Sequence, residues 1–127
     1  ITEYKEMRVA RDYMVVLENQ QQVEAVRPNI HAMLPLGKMV CITAPGDGEY
    51  DFVSRFFCPG EAVAEDPVTG SAHSMLIPYW AAKLNKTQML ARQVSERGGD
   101  LRCQLAGTRV YISGQAITYL TGKVLLR

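Results

Sequence analysis

The sequence predicts an α+β fold in which a curved, mainly antiparallel sheet is rolled around a central apolar helix. Residues 72–84 read as the one solid helix, apolar nearly all round through Met75, Leu76, Ile77, Tyr79, Trp80 and Leu84. A helix without a polar face is normally wrapped by other structure. The chain after residue 88 reads as a meander of short apolar runs separated by glycine turns, and the chain before residue 58 as β-branched and aromatic runs bounded by turn formers.

Taken in order, residues 12–18 form a short apolar run ended by Asn19 and three glutamines, which predicts a buried strand. Residues 21–26 and 29–34 can each make a turn or two of helix, with Pro28 at the first position of the second; Pro35 and Gly37 close that region. Residues 38–43 predict another strand, cut off by the turn Ala44-Pro45-Gly46-Asp47-Gly48. Residues 50–57 alternate, with Tyr50, Phe52, Ser54 and Phe56 on one face, so this strand is at least half buried. The apolar helix follows, with a kink expected at Pro78. The meander places strands at 88–95, 101–105, 109–113, 115–120 and 123–126, with turns at Gly98-Gly99, Gly107-Thr108, Ser113-Gly114 and Thr121-Gly122. No repeat or linker divides the chain, and its 127 residues suit one domain.

Composition narrows the function. Hydrophobic residues at 47% and charged residues at 21% exclude a disordered chain. Fourteen Lys and Arg against thirteen Asp and Glu, with no basic stripe, argue against nucleic acid. The longest apolar runs fall far short of the roughly 20 residues a membrane helix needs, and the sequence opens without a leader, so a cytoplasmic protein is expected. Cys41, Cys58 and Cys103 show no C-x-x-C spacing, which predicts neither a disulfide framework nor a zinc site. They are expected to pack as small hydrophobes, with Cys58 set slightly apart by its position before the loop described next.

Between Cys58 and Ala72 the chain leaves a strand and starts the apolar helix through turn formers and polar residues. Ser71 is the first candidate for the N-cap and Thr69 the second, since a hydroxyl there accepts from a first-turn amide. The free amides and the positive end of the helix dipole favour a bound anion, and a substrate carboxylate suits that place. Asp66, held extended before Pro67, can exchange a proton or grip an amine or hydroxyl of the same molecule. The residues of this string are also those of a plain loop and helix cap.

Three stretches carry more: Glu65-Asp66-Pro67-Val68-Thr69-Gly70-Ser71-Ala72-His73, then Pro78-Tyr79-Trp80-Ala81, and Gln93-Val94-Ser95-Glu96-Arg97-Gly98-Gly99. Together with residues 11–17, 43–46 and 50–57, they resemble the second half of the phenazine-biosynthesis-like (PhzF-like) isomerases, colinearly from about Ala10 to Gly122. The resemblance implies the diaminopimelate epimerase-like fold, in which two similar halves each roll a sheet around a helix and the site lies between them. It implies isomerisation of a small carboxylate-bearing substrate by acid–base proton transfer, without metal or cofactor. Carried onto this sequence, Asp66 is the catalytic acid or base, with His73 ranked below it. Thr69, Gly70 and Ser71 are substrate-binding, the amides of Gly70 and Ser71 holding the carboxylate.

The family's general base is a Glu of the other half, so proton transfer here needs a second face. A complementary N-terminal half or a homodimer is the expected partner. Related epimerases use a cysteine pair, but Asp66 stands where one thiol is placed, which disfavours that chemistry. Two other readings stay open: a carboxylate-binding module that lacks the base, and a piece of a longer gene.

Overall fold

The computed structural model describes residues 3–126. Along the chain lie β1 (Glu6–Val9), β2 (Tyr13–Val16), α1 (Gln20–Ala25), α2 (Ile30–Met33), a 3-10 turn (Leu34–Leu36), β3 (Val40–Pro45), β4 (Phe52–Phe57), β5 (Glu65–Asp66), α3 (His73–Leu84), β6 (Gln88–Gln93), β7 (Gly99–Ala106) and β8 (Arg109–Ser113). The strands form one sheet in the order β1-β2-β3-β4-β6-β7-β8, with β5 attached to β4. The pairs β2–β3 and β4–β6 are parallel and the others antiparallel, so the sheet is mixed and mostly antiparallel. Each parallel pair needs a crossover; α1 and α2 supply the first and α3 the second.

These crossovers cover the middle strands on both faces. Alternate residues of β2 and β3 enter different clusters. Met14, Val16 and Cys41 pack with Phe52, Phe56 and the α3 residues Leu76, Ile77 and Trp80. Val15, Val40 and Ile42 pack with Val53, Phe57 and Val23 of α1. All six residues of β4 are therefore buried, where the alternation alone required only one face. Trp80 stacks on Phe52 with ring centroids 5.8 Å apart, and its indole N–H donates to Thr43 Oγ1 at 2.9 Å. Thr43 in turn donates to the Val53 carbonyl at 2.6 Å, so this buried polar trio is satisfied.

Several boundaries differ from expectation. Asn29, not Pro28, sets the start of α2: its side chain accepts from the Ala32 amide at 3.0 Å, and Pro28 lies outside the helix. Asn19 caps α1 in the same way. Neither Ser71 nor Thr69 caps α3; Ala72 holds that position without a side-chain bond, because residues 70–72 wind in as a tight turn whose carbonyls take the amides of His73, Ser74 and Met75. The short strands β1 and β5 are marked by no apolar run in the sequence. Residues 115–120 and 123–126 are not strands: among the described residues they pair with nothing, leaving Ile117 at 96% and Tyr119 at 99% exposure. Their β-branched and aromatic composition suits a pleated surface, but this chain offers them no edge.

The helix α3 is not covered all round either. It packs on β7 and β8 and buries His73, Leu76, Ile77, Tyr79, Trp80 and Ala81, while Ser74, Pro78, Ala82 and Lys83 stay exposed. Pro78 lies on that open stripe, where the backbone acceptor it fails to satisfy can reach solvent.

Candidate functional site

The link from β4 to α3 carries the predicted site. β5 turns back to pair with the end of β4, placing Asp66 opposite Phe56 and Glu65 opposite Phe57. Behind it, the Arg55 guanidinium forks onto both Glu65 oxygens at 2.7 and 2.9 Å. The same side chain donates to the Val23 and Val26 carbonyls at the end of α1, at 3.2 and 2.8 Å. Two parallel charge-assisted bonds fix geometry as well as energy, so β5 is held firmly on the sheet.

Thr69 is fastened at every polar group. Its amide donates to Gln93 Oε1 at 2.8 Å, its carbonyl meets His73 Nδ1 at 2.7 Å, and its hydroxyl donates to Asp66 Oδ2 at 2.7 Å. Gln93 Nε2 donates to the Asp66 carbonyl at 2.6 Å and to Thr69 Oγ1 at 3.1 Å. Gln93 and His73 are both completely buried, so two interior side chains set the position of Thr69, and Thr69 sets one oxygen of Asp66. Because a carbonyl only accepts, His73 Nδ1 carries the proton and Nε2 is left as an acceptor; that buried nitrogen has no hydrogen-bond partner. Burial pushes the imidazole below its ordinary value, the Thr69 bond opposing this more weakly.

The far side of the loop is open. Asp66 is half-buried and Ser71 exposed. Ser71 Oγ accepts from Arg11 Nη2 at 2.9 Å, and Arg11 is steered there by paired bonds of 2.9 and 2.7 Å to the buried Asp12 carboxylate. Among the described residues, the amides of Gly70, Ser71 and Ala72 donate to no protein acceptor; Gly70 and Ser71 are exposed and Ala72 is buried at the N-terminal end of α3, where free first-turn amides favour an anion. Gly70 borders a cleft of about 690 Å³ that is also lined by Val68, Arg97, Gly98, Arg102 and Ile112. The opposite wall comes close at Gly99, where a Cβ would lie 2.2 Å from Val68 Cγ2. Ser95 completes the frame by donating to the Pro67 carbonyl at 2.8 Å.

The structure therefore brings Asp66, Thr69, Gly70 and Ser71 together, and puts His73 behind them in the core. Gln93, Arg11 and Ser95 are contacts that the sequence reading assigned no role. Gln93 carried a readable signal: in β6, Met89, Ala91 and Gln93 share the inward face, and a glutamine in register with core residues needs interior partners. Arg11 had none, because its partner Ser71 is 60 positions away.

Cysteine chemistry has no support at this site. Burial pushes the thiols of Cys41 and Cys103 up to about 12, and burial with the neighbouring Asp66 charge raises Cys58. No group of three or more His, Cys, Asp or Glu side chains among the described residues could hold a metal ion. Among the described residues, no helix is long and apolar enough to cross a membrane.

Comparison with known proteins bears on the loop and the fold together. A family model described as "Phenazine biosynthesis-like protein" matches residues 6–122. An uncharacterized isomerase of Pseudomonas aeruginosa is 50% identical over 114 residues, covering 89% of this chain and 43% of that protein. An uncharacterized isomerase of Halalkalibacterium halodurans is 43% identical over 117 residues, covering 91% of this chain and 44% of its own length. Among solved structures, a phenazine biosynthesis protein of the PhzF family from Enterococcus faecalis superimposes with a TM-score of 0.88 at 42% identity, covering 98% of this chain and 48% of that one. The chain thus spans less than half the length of these relatives. It belongs to the phenazine biosynthesis-like, PhzF-type family of isomerase-related proteins.

Proposed function

We propose that this chain supplies one wall of an isomerase site that moves a proton on a small carboxylate-bearing molecule by cofactor-independent acid–base chemistry. The observation that carries the reading is the Asp66 carboxylate, with Oδ2 fixed by Thr69, beside three undonated amides at the start of α3. A carboxylate resting on the amides of Gly70 and Ser71 brings its neighbouring carbon or amine toward Asp66. Arg11 adds positive charge at the same mouth through Ser71. His73, completely buried, acts through Thr69 instead of touching substrate.

Asp66 can give or take a proton, but isomerisation moves it between two positions, and a second group must face it within hydrogen-bond reach. We assign that group to a complementary half or to a second copy of this chain. The rolled sheet belongs to the same reading. α3 packs on β7 and β8 toward one edge of the sheet and reaches β1 at the other through Tyr79, which donates to Glu6 at 3.0 Å. That both edges meet one helix supports a sheet curled around it.

The test is incorporation of solvent deuterium at carbon when small amino or hydroxy acids are incubated with the protein in heavy water. Asp66→Asn is expected to lower exchange by about 10²- to 10⁴-fold, the usual contribution of a positioned acid or base. Exchange by Asp66→Asn at the parent rate would remove Asp66 from the mechanism. A carboxylate that binds without any exchange would favour a binding module, a reading supported by the interior position of His73.

A further inference from the structure

We infer that Asp66 gives and takes its proton at Oδ1 alone, because a chain of hydrogen bonds from Gln93 through Thr69 holds Oδ2 as a standing acceptor. Thr69 is then a positioning residue and not a substrate ligand. The inference rests on the reading of Asp66 as the proton-handling group, and it names the atom of that group which reacts.

The direction of the chain is fixed at its interior end. Gln93 is completely buried, and the two ends of its amide meet backbone groups of opposite kind. The Thr69 amide only donates, so Oε1 faces it at 2.8 Å. The Asp66 carbonyl only accepts, so Nε2 faces that group at 2.6 Å. Turning the side-chain amide over would set donor against donor and acceptor against acceptor, so the backbone decides its orientation. The second Nε2 hydrogen is left for Thr69 Oγ1, 3.1 Å away.

That donation settles where the Thr69 hydroxyl hydrogen goes. Thr69 is 5% exposed, and among the described residues its Oγ1 bonds with Gln93 Nε2 and Asp66 Oδ2. Nε2 is a donor, which leaves Oδ2 as the acceptor at 2.7 Å. A proton on Oδ2 would have to be given to Thr69 Oγ1, stranding the hydroxyl hydrogen in the interior, where an unpaired polar group is costly. Oδ1 is under no such restraint. It has no hydrogen-bond partner among the described residues, and the one buried side-chain atom there without a partner is His73 Nε2; Oδ1 therefore reaches the surface. Thr69, by contrast, uses its amide, hydroxyl and carbonyl inside the protein, so it has no donor left for a substrate.

Asp66→Asn, a neutral stand-in for the protonated side chain, tests the assignment at neutral pH. Nuclear magnetic resonance of the labelled chain is the measurement, with circular dichroism as the folding control. In the parent, the Thr69 hydroxyl hydrogen should give a protected signal coupled through its hydrogen bond to the Asp66 carboxyl carbon. In Asp66→Asn the signal should persist, coupled to the new amide carbon, because the amide oxygen takes the place of Oδ2 and the NH2 group that of Oδ1. A hydroxyl signal absent from the parent, or an NH2 group turned toward Thr69 in the variant, would overturn the assignment.

Deuterium exchange with the small amino and hydroxy acids tests the positioning role. Thr69→Val should lower the rate at saturating substrate by up to about 10²-fold, as misplacing a group by about 1 Å does. The half-saturating concentration should stay unchanged, since the amides of Gly70 and Ser71 remain. Thr69→Ser, which keeps the hydroxyl, should restore most of the rate. Exchange by Thr69→Val at the parent rate, or a loss confined to half-saturation, would overturn the role. A parent without exchange would overturn the isomerase reading and the catalytic use of Oδ1, while the hydroxyl signals still decide the bonding, so the two failures are told apart.

Discussion

Replacing His73 by Asn separates the two things the buried imidazole does. The Asn amide can still donate to the Thr69 carbonyl that His73 Nδ1 meets at 2.7 Å, but it cannot titrate. The ring is fully buried and burial lowers its pKa from the ordinary 6.5. In the unfolded chain the imidazole takes a proton as pH falls through about 6.5, while the folded one resists. The unfolded state then binds more protons, so stability is fully present above about pH 6.5 and is lost as pH falls from there toward the lowered folded pKa. If the folded ring stays neutral throughout, the loss between about pH 7.5 and about pH 5.5 is about 1.4 kcal/mol, or about 5 °C in Tm. Urea melts of parent and His73→Asn at both pH values measure it. The variant starts less stable because it loses ring packing against Phe52, 6.0 Å away centroid to centroid. Only the difference in pH dependence is diagnostic. An equal loss of stability in both proteins would refute the placement of a neutral imidazole in this core.

Two further substitutions probe the frame around Asp66. Gln93→Leu removes the partners of the Thr69 amide and the Asp66 carbonyl while keeping the interior filled. Each buried group left unpaired costs about 1–3 kcal/mol, so a fall of about 2–5 kcal/mol in urea is expected; an unchanged midpoint would mean that the loop is held by something else. Gly99→Ala drives a Cβ into Val68 Cγ2 and should cost about 1–3 kcal/mol as overpacking. Adding Val68→Ala should recover part of that loss, and strictly additive effects would show that the contact is not the cause.

Local chemistry made much of this molecule legible. Apolar runs between turn formers mark strands at 38–43, 50–57, 88–95 and 109–113, which the structure has at 40–45, 52–57, 88–93 and 109–113. β3 runs on through Ala44 and Pro45, residues that composition assigns to a turn, because they pair with Val53 and Phe52 of β4. α3 is marked by its length and composition. The Asp66–Ser71 cluster was readable because its members are neighbours in sequence. What escaped depended on distant pairing. β5 is two residues long and exists only because β4 presents an edge to it. The link between Arg11 and Ser71, and the buried Gln93, are visible only once β2, β6 and α3 are packed. The strands expected at 115–120 and 123–126 show the opposite failure: strand-like composition was present, but a strand needs a partner, and composition does not say on which molecule that partner lies.

Arg55 has a consequence for how changes spread through the molecule. One nearly buried cation binds the last carbonyls of α1 on one face of the sheet and Glu65, the neighbour of Asp66. It works as a tie rod between layers, joining α1 to the Asp66 loop through a single fork of hydrogen bonds. Sequence change in that helix is free only where it leaves the Val23 and Val26 carbonyls in place.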